Sequence, residues 1–170
     1  YIHGMGTDVD LEKAAEIASK GVEMNADVPQ LKELCLNNLF EIGLMYYQGN
    51  GVEKDIASAI RHWEKGATLG SASCMYVLGQ VYELEETMRD YTKSLKYYRS
   101  AADLGDSRAY VKLGIFANDG QGMERDIPRG FQYFKKAREL GDEGAEGYII
   151  FVLSRNDVET LGVDLNEEIS

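Results

Sequence analysis

The chain has 170 residues, 44% of them hydrophobic, and carries 18 Lys+Arg against 29 Asp+Glu for a formal net charge of -11. That apolar share suffices for a core and excludes wholesale disorder. The acidic balance excludes phosphate backbones and anionic lipids as natural partners, and no apolar run approaches the roughly 20 residues a bilayer span requires.

The chain opens on Tyr1 in place of an initiator methionine and shows no apolar leader, and it reads as a processed piece whose full sequence can carry targeting information. Gly4-Met5-Gly6 through Asp10, Leu11 and Ala14 matches Gly49-Asn50-Gly51 through Asp55, Ile56 and Ala59 at an offset of 45. Residues 1–25 are therefore the second half of an incomplete repeat, followed by a connection over Asn25–Gln30. Full repeats occupy 30–70, 71–106 and 107–142. Gly43 and Gly114, Gly49 and Gly120, and Asp55 and Asp126 are each 71 apart, two repeats of about 36 residues with one residue missing from the middle copy. That copy keeps Leu78-Gly79, Tyr82 and Asp90, while its loop Leu84-Glu85-Glu86-Thr87 lacks both glycines.

Each repeat predicts two amphipathic helices. In the second helix Trp63, Tyr98 and Phe134 are equivalent, as are Ala59, Ser94 and Gly130. An aromatic wedge beside a small residue suits two closely crossing helices, and Gly43, Gly79 and Gly114 complete that contact from the first helix. Asp55, Asp90 and Asp126 stand where an N-cap accepts orphan N–H groups. Gly70, Gly105 and Gly141 close the second helices, and Ser71, Asp106 and Asp142 can cap the next. Beyond Asp142, Ala145 matches Ala109, but Ile150 replaces the packing glycine, so residues 143–170, with seven acids and one base, form a partial repeat or a C-terminal cap. The predicted fold is all-α, an α-solenoid of stacked antiparallel helix pairs.

Ala109, Leu113, Gly114, Gly120, Gly122, Met123, Asp126, Phe134, Ala137 and Gly141 follow one another as in the SEL-one-like repeats (SLR), a relative of the tetratricopeptide repeats, which the chain resembles from Gly4 to about Ala145. Ala117, where Tyr46 and Tyr82 stand in the other copies, and the glycine-free middle loop depart from that pattern. The resemblance implies a non-catalytic scaffold or adaptor for protein–protein interaction. In such arrays the first helices line a concave side, and with the Leu-Gly pairs buried, residues one, four and five after each glycine, with some before it, point into it. Phe40, Leu44, Tyr47 and Gln48 are selected in the first unit, Tyr76, Gln80 and Glu83 in the second, and Arg108, Ile115, Asn118 and Asp119 in the third. Tyrosines give contact area at low entropy cost and amides satisfy main-chain groups, so the expected partner is a protein or peptide segment. The alternative is a structural subunit that self-associates or stacks within a larger or secretion-related assembly.

Parts for catalysis are few. His62 is equivalent to Tyr97 and Tyr133, which points to packing, and neither it nor His3 has a nucleophile nearby in sequence. The Gly-x-Gly loops follow helices and precede no lysine-serine pair, unlike phosphate-binding loops. Cys35 and Cys74 have neither zinc spacing nor a disulfide framework; as buried free thiols they favour a cytoplasmic setting. No enzyme activity, cofactor, metal or small-molecule ligand is expected, and neither nucleic acid nor membrane insertion.

Overall fold

A computed structural model of the chain describes residues 10–24 and 27–155. Those residues form α1 (Leu11–Met24), α2 (Pro29–Gln48), α3 (Ile56–Thr68), α4 (Ala72–Leu84), α5 (Tyr91–Asp103), α6 (Ser107–Asp119), α7 (Ile127–Glu139) and α8 (Ala145–Arg155), with no strand among them. The chain divides into two compact units, Tyr1–Leu78 and Gly79–Ser170.

Helix starts follow from the acids. The carboxylates of Asp10, Asp55, Asp90 and Asp126 accept from the N–H groups of Lys13, Ser58, Lys93 and Arg129 at 2.9, 3.1, 3.0 and 3.0 Å. Asp106 accepts from Arg108 and Ala109, Asp142 from Gly144 and Ala145, and the Ser71 hydroxyl from Cys74. Each bond satisfies an orphan donor of the first turn. Helix α2 differs. It begins at Pro29, inside the stretch read as a connection, with Val28 giving no side-chain cap. A proline in the first turn forfeits no helical bond and has φ preset, so α2 can begin there and run for 20 residues against 13 in α4 and α6.

The loop after each first helix closes by one repeated bond. The N–H of Asp55 donates to Tyr46 O at 2.9 Å, that of Asp90 to Tyr82 O at 2.8 Å, and that of Asp126 to Ala117 O at 2.8 Å. Gly49 and Gly120 reach this closure through left-handed φ of 72° and 73°. The middle loop reaches it without glycine, through a turn in which Met88 N–H donates to Glu85 O. Loop sequence therefore varies while the cap of the following helix stays in place.

In the first unit, Leu11, Ala14, Ala15 and Ala18 of α1 pack with Leu39 and Ile42 of α2, joined by Met45, Tyr46, Val52 and Leu69. A Cβ built on Gly43 would stand 2.3 Å from Trp63 Nε1, a ring nitrogen that donates to Phe40 O at 3.0 Å. In the second unit the corresponding Cβ atoms on Gly79 and Gly114 would stand 2.6 Å from the Tyr98 ring and 2.4 Å from the Phe134 ring. The small residues on the second helices complete the crossing: Ser94 Oγ donates to Gly79 O at 2.8 Å, and a Cβ on Gly130 would meet Gly114 O at 2.9 Å. The expected aromatic wedge against glycine is thus present in all three copies. Phe131, Phe134, Ile149 and Val152 form the core between α7 and α8.

The departure at Ala117 has a local answer. Tyr46 stacks on His62 at 5.2 Å and Tyr82 on Tyr97 at 5.8 Å. With alanine at 117, Tyr133 meets Tyr110 instead, at 6.2 Å, and the neighbouring Phe116, fully buried, contacts Tyr91 and Tyr98 edge-on. Residues 1–9 and 156–170, which include the Gly4-Met5-Gly6 match and most of the acidic C-terminal stretch, lie outside the described residues.

Candidate protein-binding face

None of the eleven residues assigned to the concave side is buried. In the first unit, Phe40, Leu44, Tyr47 and Gln48 fall one and two turns apart along α2, so they share one flank, and Tyr76 is half-buried on α4. The Tyr47 ring tilts against Trp63 at 5.7 Å with Lys54 Nζ 5.5 Å from its centroid.

The second unit treats its six residues differently. Glu83 accepts from the Tyr98 hydroxyl at 2.5 Å and from Lys112 Nζ at 3.0 Å, so its carboxylate ties α4 to α5 and α6. Arg108 pairs at 2.6 Å with Asp106, which also caps α6. Gln80 is half-buried. Ile115, Asn118 and Asp119 converge on one groove of about 580 Å³, together with Phe134, Gly144, Gly147, Tyr148, Phe151 and Val152. Tyr148 stacks on Phe134 at 5.0 Å yet keeps 38% of its surface exposed, and Phe151 keeps 47%.

Two glycines line the groove at the start of α8, Gly144 just before the helix and Gly147 within it. At the repeat offset of 36, Gly144 and Gly147 stand where α6 carries Arg108 and Val111. A Cβ on Gly147 would meet nothing within 4 Å. The α8 contribution was legible in principle: with Ile150 in the glycine position, the same rule of one, four and five residues gives Phe151, Ser154 and Arg155. Ile150 breaks the glycine pattern at this point, which hides them. Ile150 itself is 58% exposed, while Ala145, Ile149 and Val152 fill the core.

The first unit also has a charged cleft, lined by Asp10, Glu12, Lys13, Ala15, Glu16, Arg61, His62 and Lys65. His62 is only 3% exposed. Its Nδ1 lies 2.7 Å from Ser58 O, a contact only an N–H can make, which leaves Nε2 facing a Glu12 carboxylate oxygen at 3.7 Å. Packing accounts for this histidine, and the cleft lining contains no hydroxyl or thiol nucleophile. Burial pushes the Cys74 thiol up to about 11, so it is not a thiolate near neutrality. Among the described residues no three His, Cys, Asp or Glu side chains are grouped to hold a metal, and no helix is long and apolar enough to cross a membrane.

Glycine against aromatic ring, aspartate cap and closing glycine, repeated at this period, match the Sel1 repeat profile over residues 1–25, 39–71, 72–106 and 107–142. The chain belongs to the Sel1 repeat family. Sel1 repeat proteins generally mediate protein–protein interaction and are generally non-catalytic scaffolds. The chain is 32% identical over 90 residues to the ERAD-associated E3 ubiquitin-protein ligase component HRD3B of Arabidopsis thaliana, covering 52% of this chain but 14% of that protein. A Sel1 repeat protein from Oxalobacter formigenes superposes with a TM-score of 0.66 at 25% identity, over 89% of this chain and 67% of the other. A protective antigen of uropathogenic Escherichia coli displaying an SLR fold gives 0.68 at 25% identity, over 79% and 29%. Helicobacter pylori cysteine rich protein B gives 0.61 at 26% identity, over 85% and 99%. The fold class is therefore all-α, of the α-solenoid kind.

Proposed function

We propose that this Sel1 repeat chain is a non-catalytic adaptor that holds a protein or peptide segment on the face of its first helices, with the α6–α8 groove as the principal contact of the second unit. The groove itself carries the reading. Ile115, Tyr148 and Phe151 leave apolar surface open to water beside the amide of Asn118, which is the composition of a peptide anchor site. Rigid aromatic rings supply area with few rotors to freeze, and the absent side chain at Gly147, where a Cβ would meet nothing within 4 Å, leaves room for an inserted one. The family's general role and the place of the plant relative as a ligase component agree with work inside a protein assembly.

The test is capture of partner proteins by the full chain and by an Ile115→Ser/Phe151→Ser variant whose melting temperature matches the parent. Partners held by the parent and lost by the variant support the groove; the same partners on both baits refute it. Self-association is the second reading, favoured by exposed Ile150 on α8. Light scattering separates the two: a monomer at all concentrations removes the second, and dimers abolished by Ile150→Ser establish it.

A further inference from the structure

Resting on the groove reading above, we infer that the segment bound there carries an acidic residue beside its apolar anchor, read by Arg125 and Arg155. Asn118, Asp119 and Phe151 line the apolar groove and also line an adjoining cleft of about 450 Å³ with these two arginines. Both arginines are exposed. The chain is strongly acidic, with 29 Asp+Glu against 18 Lys+Arg, and the guanidiniums of Arg61, Arg108 and Arg138 pair with Glu12, Asp106 and Glu146. Among the described residues no carboxylate pairs with Arg125 or Arg155.

Both guanidiniums are nevertheless held in place. Arg125 Nε–H donates to Asn118 O at 2.8 Å, at the end of α6, which leaves its terminal N–H groups for a ligand. Arg155 lies over the Phe151 ring, 5.0 Å from its centroid, at the mouth of the groove. Asp119 is the one acid in the lining, and its carboxylate already accepts from the Asn118 amide at 2.9 Å. Two fixed, unpaired guanidiniums against one engaged carboxylate favour an anionic neighbour for whatever apolar side chain enters. Arginine forks bind carboxylates with two parallel bonds, and pre-positioned ones lose little entropy in doing so.

The experiment is selection of a displayed library of random 12-residue peptides on the full chain, on Arg125→Glu/Arg155→Glu and on Phe151→Ser, each checked for an unchanged melting temperature. Parent-selected peptides are expected to place Asp or Glu within two residues of an aromatic or leucine. They should bind the double-reversal variant roughly tenfold more weakly, as expected for two reversed rim contacts, and that variant should select Lys or Arg instead. Peptides that need Phe151 but show no acidic preference overturn this inference and leave the groove standing. A chain that selects no Phe151-dependent peptide overturns both. Selection by a Leu161→Ser/Leu165→Ser variant but not by the parent assigns the groove to the chain's own acidic residues 157–168, and dimers lost on Phe151→Ser assign it to a second copy. Either result removes the partner protein on whose binding the inference rests, and so overturns it.

Discussion

Replacing Gly114 by alanine sets two effects of known sign against each other. Alanine in a helix interior is favoured over glycine by about 1 kcal/mol, so an unobstructed position gains stability. At Gly114 the new Cβ would stand 2.4 Å from Phe134 Cε1, 2.7 Å from Cδ1 and 2.8 Å from Cζ. Contacting carbons prefer roughly 3.5–4.0 Å, so more than 1 Å of separation is missing. The ring cannot swing away cheaply, since Phe134 is 1% exposed and Tyr148 stacks on it at 5.0 Å. Overpacking costs about 1–3 kcal/mol, and three ring atoms inside 3 Å put this site at about 2–3 kcal/mol, which outweighs the propensity gain. The expected net loss is about 1–2 kcal/mol, a fall of about 3–6 °C in melting temperature for a chain of this size. Gly147→Ala is the control, in a helix with open space around its Cβ. It should raise the melting temperature by about 1–3 °C. Circular dichroism melts of both variants decide the matter. A Gly114→Ala protein as stable as the parent or more so would refute close packing as the reason for glycine at this position.

Gly66 and Cys74 should be coupled. A Cβ on Gly66 would meet Cys74 Sγ at 2.5 Å, whereas the equivalent pairs in the later copies, Ala101 with Ala109 and Ala137 with Ala145, are alanines and fully buried. Gly66→Ala alone should destabilise by about 1–2 kcal/mol and Cys74→Ala should recover at least half of it in a double-mutant cycle; additive effects would contradict the exchange of volume between the two positions. The Ser58 hydroxyl and N–H, in that order, hold the Asp55 carboxyl below the usual aspartate range. A depressed folded value means that this contribution is present above the unfolded aspartate pKa of about 4 and lost as pH falls through the folded one. Asp55→Asn should therefore melt lower than the parent at neutral pH and lose less on acidification below about pH 4, and parallel pH curves would contradict the cap's role.

What the sequence made legible was whatever repeats. The offset of 71 between Gly43 and Gly114, with the equivalence of Trp63, Tyr98 and Phe134, located the helix crossings because close approach demands a missing side chain on one helix and a ring on the other. The caps at Asp55, Asp90 and Asp126 were equally readable, since an N-cap is a local bond across three residues. Features of one copy alone were not. Glu83 shares its pattern position with Tyr47 and Asn118, but its partner Lys112 lies 29 residues away and only the packed helices bring them together. The groove is lined by Gly144 and Gly147, which in a sequence resemble a weak helix start and form part of an opening only once α6 and α8 are folded. The middle loop shows the converse, a changed sequence that still closes with the Asp90 to Tyr82 bond.

Seating of a protein segment in the α6–α8 groove is read by a photo-crosslinking residue at Tyr148, which is 38% exposed beside Phe151, with the same residue at exposed Gln132 of α7, absent from the groove lining, as control. Partner protein should be crosslinked from position 148 and not from 132, and the attached partner peptide should contain an apolar anchor. Crosslinking from 132 with none from 148 would contradict it.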